Sequence, residues 1–118
     1  MGKHKETGIK GELIAASFLL KKGYEILHTN WKSGNKEVDI IALKQGLLVF
    51  TEVKTRRSYD FGFPEEAVST KKQEHIKLVA EAFCSENRAY EDIRFDVVSI
   101  LLDGESVKEI VHLEDAFY

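Results

Sequence analysis

Glu37-Val38-Asp39-Ile40-Ile41-Ala42-Leu43, Lys44-Gln45-Gly46 and Leu47-Leu48-Val49-Phe50-Thr51-Glu52-Val53-Lys54 form one continuous stretch. Two nearly all-apolar runs flank a three-residue turn, which is the pattern of a hairpin buried on both faces. Each run carries acids at the end away from the turn. A charged group beside a core is costly unless it is paired or bound to a metal. Side chains two apart on a strand share a face, so Glu37 aligns with Asp39, and Glu52 with Lys54. Pairing the runs is expected to bring Asp39, Glu52 and Lys54 together at one end of a sheet.

Working outward, residues 9–22 have helical periodicity, with Ile9, Leu13, Ala16 and Leu20 as the expected buried stripe and Ile14 and Phe18 widening it. Lys21, Lys22 and Gly23 suit its end. Residues 24–31 read as a strand, with Tyr24, Ile26 and Leu27 inward, and Ser33-Gly34-Asn35 as a turn. A loop rich in Arg, aromatic and Gly residues runs from Thr55 to Pro64. Thr70-Lys71-Lys72-Gln73 fits a capping box that opens a second helix, with Ile76, Val79, Ala80 and Phe83 buried, ending near Glu86. Residues 94–102 and 107–113 read as two strands around the turn Asp103-Gly104. The order is α-β-β-β-α-β-β, an α/β fold with a sheet flanked by helices, expected as a single domain over residues 1–118.

A chain of 118 residues with 43% hydrophobic and 31% charged residues has the makeup of a globular domain with a substantial core. No apolar run reaches membrane-spanning length, and no signal core follows the basic N-terminus, so a cytoplasmic protein is expected. The single cysteine, Cys84, excludes an internal disulfide and fits a small buried residue. The net charge of -3 is unevenly distributed. Residues 1–90 hold 15 Lys+Arg against 12 Asp+Glu, and residues 91–118 hold 2 against 8. The acidic pair thus lies in the basic part of the chain, where the balance permits a nucleic-acid partner without establishing one.

The ordered set Gly8-x-x-Gly11-Glu12, Asn30-Trp31, Glu37-Val38-Asp39-Ile40-Ile41, Phe50-Thr51-Glu52-Val53-Lys54-Thr55-Arg56, Lys72-Gln73, Arg94-Phe95-Asp96-Val97-Val98 and Ala116-Phe117 spans nearly the whole chain. It resembles the small bacterial YraN-like (UPF0102) family of predicted endonucleases, within the PD-(D/E)xK nuclease superfamily. The resemblance implies a restriction-endonuclease-like mixed β-sheet, similar to that of Holliday junction resolvases. It implies Asp39 and Glu52 as metal ligands, Lys54 as the third motif residue, and Glu12 as a helix-borne supporting acid. The superfamily's proline is Val38 here, and its common glycine before the Glu is Lys36.

The expected chemistry is phosphodiester hydrolysis. Magnesium (or manganese) takes hard oxygen ligands and keeps several waters, so Asp39, Glu52 and the Val53 carbonyl suffice as a set. Lys54 is expected to act electrostatically, because two adjacent carboxylates hold a lysine charged. The plainer reading of the trio is a salt-bridged sheet edge with Lys54 neutralising Glu52. Glu12 has an alternative as a carboxylate favoured by the dipole of a helix's first turn. Gln73 and Lys72 are expected at the site from the second helix, or else as its solvated first turn. Arg56, Arg57, Lys71 and Lys72 are the expected nucleic-acid contacts, with Tyr59, Phe61 and Phe63 available to stack on unpaired bases. Trp31 is expected in the core, Arg94 and Asp96 as a pair, and the four histidines in ordinary surface or strand roles. The expected function is a metal-dependent endonuclease acting on DNA, with branched or non-duplex DNA implied by the resolvase likeness. Symmetric cutting implies a homodimer. The alternative is a non-catalytic nucleic-acid-binding or adaptor protein that keeps the fold.

Overall fold

The two apolar runs form the centre of a five-stranded sheet in a computed structural model that describes residues 2–60 and 62–118, with side chains from residue 7 onward. Phe61 and His4, singled out in the sequence, lie outside the described residues and side chains respectively. The elements are α1 (Gly2–Lys21), β1 (Glu25–Ser33), β2 (Lys36–Lys44), β3 (Leu47–Arg56), a 3-10 turn (Pro64–Glu66), α2 (Thr70–Glu86), β4 (Asp92–Asp103) and β5 (Ser106–Phe117). The α-β-β-β-α-β-β order is the expected one. The sheet follows chain order, β1-β2-β3-β4-β5. All neighbours are antiparallel except β3 and β4, whose parallel pairing spans the α2 crossover.

Alternation on the central strands sends neighbouring residues to two separate cores. Phe50 and Val97 face α2, joining Ile76, Val79, Ala80 and Phe83. Val49 and Val98 face α1, joining Ala15, Leu19, Tyr24 and Ile100. The sheet is therefore sandwiched, which explains why β2 and β3 lack a polar face. Trp31 packs edge-on against Phe83 in the α2-side core, with ring centroids 5.1 Å apart. Cys84 borders the same core, and burial raises its thiol pKa.

Three local expectations are corrected. The first helix begins at Gly2, and its buried line is Gly11, Ala15 and Leu19; Ile9, Leu13 and Leu20 are more than half exposed. The small residues win because they allow a close approach. A Cβ on Gly11 would lie 1.7 Å from Thr55 Oγ1, so only glycine lets α1 lie this near β3. The second helix is capped by Ser69, one residue before the expected Thr70, with the Lys72 N–H donating to the Ser69 side chain. The last strand continues to Phe117, whose ring stacks on Phe95 at 5.1 Å.

Arg94 and Asp96 pair as expected, and a larger network surrounds them. The fully buried Asp96 accepts two hydrogen bonds from Arg94 at 2.8 Å, one from His112 Nε2 at 2.7 Å and one from the Asp115 N–H at 3.0 Å. Burial alone would raise the Asp96 carboxyl pKa; these partners outweigh it and hold the group below its ordinary value. Lys22 donates to His112 Nδ1 at 2.7 Å, and Arg94 reaches the Tyr24 hydroxyl at 2.6 Å. The C-terminal end of α1 is thereby tied to β4 and β5.

Candidate active site

The β2–β3 ladder runs from Lys44↔Leu47 to Ile40↔Thr51 and stops. Beyond it, β3 continues alongside β4 to Arg56↔Leu101. Asp39, Glu52 and Val53 stand where β2 and β3 part. There Asp39 Oδ2 accepts the Val53 N–H at 2.8 Å, so a side chain takes a main-chain donor that the ladder leaves free.

A slip in strand alternation sets the direction of Asp39. Val38 and Ile41, three apart, both enter the α2-side core. His28 and Trp31, also three apart, both pack on Phe83. Residues three apart on a regular strand face opposite sides, so both strands lose one step at the same level. Thr29↔Ile40 and Trp31↔Val38 bracket that level, which puts Asn30 opposite Asp39. Asn30 has φ of 53°, the left-handed region that asparagine tolerates better than most residues. Its side chain lies near enough to Glu12 to lower that carboxyl's pKa. Sequence reasoning assigned Asn30 no role at the site, and an asparagine in a strand was the one available signal.

Glu12, Asp39, Glu52, Val53, Lys54, Thr55 and Lys72 line one cleft, along with Thr7, Gly8 and Ala67. Glu12 lies in the middle of α1, ten residues after Gly2, so the first-turn dipole does not account for it. Its pKa is raised by burial and then by the Asp39 charge, and lowered in part by Asn30. The Asp39 pKa is pushed up to about 7, by burial first and then by the nearby Glu52 charge. Glu52 Oε2 lies 3.2 Å from Lys72 Nζ, whereas Glu52 Oε1 is buried without a hydrogen-bond partner. The lysine that neutralises Glu52 is thus Lys72, from α2. Lys54, the partner expected from spacing, is exposed in the same cleft and makes no ion pair among the described residues.

The other expected residues divide. Gln73 turns away, donating to the Val68 carbonyl at 3.3 Å and lining a separate pocket with Val97 and Phe117. Arg56 is occupied by the carbonyls of Gly62 and Phe63. Arg57 donates to the Gly104 carbonyl at 2.9 Å and to Thr7 Oγ1 at 3.5 Å. Both arginines pin loops, because guanidinium forks are well matched to converging carbonyls. Lys71 is exposed on the first turn of α2. Tyr59 and Phe63 lie against each other at 5.8 Å, and the Tyr59 hydroxyl donates to Glu109. Glu37 faces Lys32 at 3.8 Å, outside the cleft lining.

The donor set suits a hard cation kept largely hydrated. Among the described residues no three acidic, His or Cys side chains are grouped as a ready-made cage. Two carboxylates are enough for magnesium, which retains waters. Glu52 Oε1, which has no hydrogen-bond partner, and Asp39, which meets the Val53 N–H and no protein cation among the described residues, are oxygens left open to a cation.

The family model described as Uncharacterised protein family UPF0102 matches residues 11–100, which include the cleft residues from Glu12 to Lys72. A UPF0102 protein of Caldicellulosiruptor bescii is 48% identical over 116 residues, covering 96% of this chain and 98% of that one. A UPF0102 protein of Flavobacterium psychrophilum is 42% identical over 118 residues, covering 100% and 98%. One from Dictyoglomus thermophilum is 50% identical over 100 residues, covering 84% and 85%.

Proposed function

The chain belongs to the UPF0102 family, and for this member we propose a metal-dependent endonuclease that hydrolyses DNA phosphodiester bonds. The observation that carries this reading is the meeting of Asp39 and Glu52 at the open end of the hairpin, with a buried carboxylate oxygen lacking any partner. The arrangement of acids on β2 and β3 and a lysine two residues on resembles the PD-(D/E)xK superfamily. Branched DNA, as for Holliday junction resolvases, is the substrate that this likeness favours.

Asp39, Glu52 and the Val53 carbonyl would hold a magnesium or manganese ion. When bound, the ion supplies Lewis-acid stabilisation and a more acidic water. The Asp39–Val53 hydrogen bond fixes the carboxylate relative to β3. Glu12, on the cleft's α1 side, would accept a hydrogen bond from a water there. Lys54, free and exposed at the cleft, contacts a phosphate oxygen and stabilises charge that grows there in the transition state. Lys71, exposed on the first turn of α2, offers a further phosphate contact.

The test is a cleavage panel of duplex, single-stranded, flapped and four-way DNA with magnesium or manganese. Wild-type protein is expected to cut the four-way or flapped DNA, and Asp39→Ala and Lys54→Ala to lose at least about a hundredfold in rate. Binding of these DNAs without any metal-dependent cutting would favour the adaptor function instead.

A further inference from the structure

Lys72 reaches the Glu52 carboxylate from the opposite wall of the cleft. Its position is fixed at its base, because Lys72 is the third residue of α2 and its N–H is held by the Ser69 cap at 3.2 Å. Its tip is less restrained: the side chain is 40% exposed, against 12% for Glu52. The ammonium lies 3.2 Å from Oε2, and Oε1 of the same carboxylate has no partner. Lys54 comes from the same strand as Glu52 and leaves that carboxylate alone. One carboxylate therefore has a protein cation on one oxygen and an unfilled place at the other. A divalent ion drawn to Oε1 and Asp39 would sit within a few ångströms of the ammonium, where two positive charges repel. A long, half-exposed lysine on a fixed base can swing away at little cost.

Resting on the metal-site reading above, we propose that Lys72 is an exchangeable internal counter-ion: it neutralises Glu52 in the free protein, yields that carboxylate to a divalent cation, and then binds a substrate phosphate. Free protein is thereby kept from holding two unbalanced buried carboxylates. The cleft gains the Lys72 phosphate contact only when the cation is present, so cation binding and DNA binding reinforce each other.

Manganese titration without DNA, followed by electron paramagnetic resonance at a pH near 8, tests the exchange directly. Lys72→Gln is expected to bind Mn2+ roughly three- to fivefold more tightly than wild type, the range set by a partly exposed ion pair. Lys72→Arg, which keeps the charge, is expected to stay near wild type. With calcium in place of manganese, Lys72→Gln is expected to bind four-way DNA several-fold more weakly. Unchanged or weaker Mn2+ binding by Lys72→Gln, alongside clear binding by wild type, would overturn the exchange and leave the metal site standing. No Mn2+ binding by either protein, or binding that survives Asp39→Asn undiminished, would overturn both.

Discussion

Asp39 carries the most unusual electrostatics in the protein. Its carboxyl pKa rises to about 7 because it is buried and lies against Glu52. A raised acid pKa means that the folded protein binds a proton which the unfolded chain releases near pH 4. This contribution to stability is full below pH 4 and is lost as pH climbs to about 7. In chelator, wild-type protein is expected to lose on the order of 2 kcal/mol over that span relative to Asp39→Asn, measured by urea denaturation. A divalent cation should reverse the loss above pH 7. The carboxylates and Lys54 were legible in the sequence, because charges at the ends of buried strands are rare and their spacing of two is informative. Asn30 was not, because a left-handed residue inside a strand has no strong local signature. The loop-holding contacts of the arginines were not legible, because what a guanidinium binds is decided by which loop closes over it, as Gly62 and Gly104 do here.

Among the elements, α1 was read least well. Hydrophobicity favoured Ile9, Leu13 and Leu20, but the helix buries Gly11, Ala15 and Leu19. Size prevailed over hydrophobicity because β3 passes so close, and that proximity carries Glu12 to the cleft. Gly11→Ala is expected to cost about 1–3 kcal/mol by overpacking against Thr55. The double variant Gly11→Ala with Thr55→Ala should recover part of it, since the nearest clash is with the Thr55 hydroxyl. Full additivity of the two single costs in denaturation experiments would contradict this account of the contact. The second helix was read to its correct ends, and only its cap was displaced, because Ser69 and Thr70 are both able capping residues.

Across the protein, charge and topology act together. The acidic excess belongs to β4 and β5, and the cleft opens between β2 and β3, with Lys54 and Lys72 on its walls. The β2–β3 hairpin was legible because its two apolar runs flank a short turn. The slip at Asn30 and Asp39 was not, because it arises from two strands adjusting to each other. If lysines contact phosphates while Arg56 and Arg57 hold loops, the salt dependence of DNA binding should separate them. Lys54→Ala and Lys71→Ala are each expected to lower the slope of log affinity against log salt by about one, and Arg57→Ala to leave it unchanged. An equal drop for Arg57→Ala would return that residue to the binding surface.

In the proposed function, Asp39 and Glu52 make a cation-dependent cutting site. Cleavage of end-labelled four-way DNA by wild type, Asp39→Ala and Glu52→Gln, with magnesium and then with excess chelator, tests it most directly. Wild type is expected to cut, with chelator stopping the reaction and magnesium restoring it, and both variants to be inactive. Equal cutting by all three proteins, or cutting that persists in chelator, would contradict the proposed function.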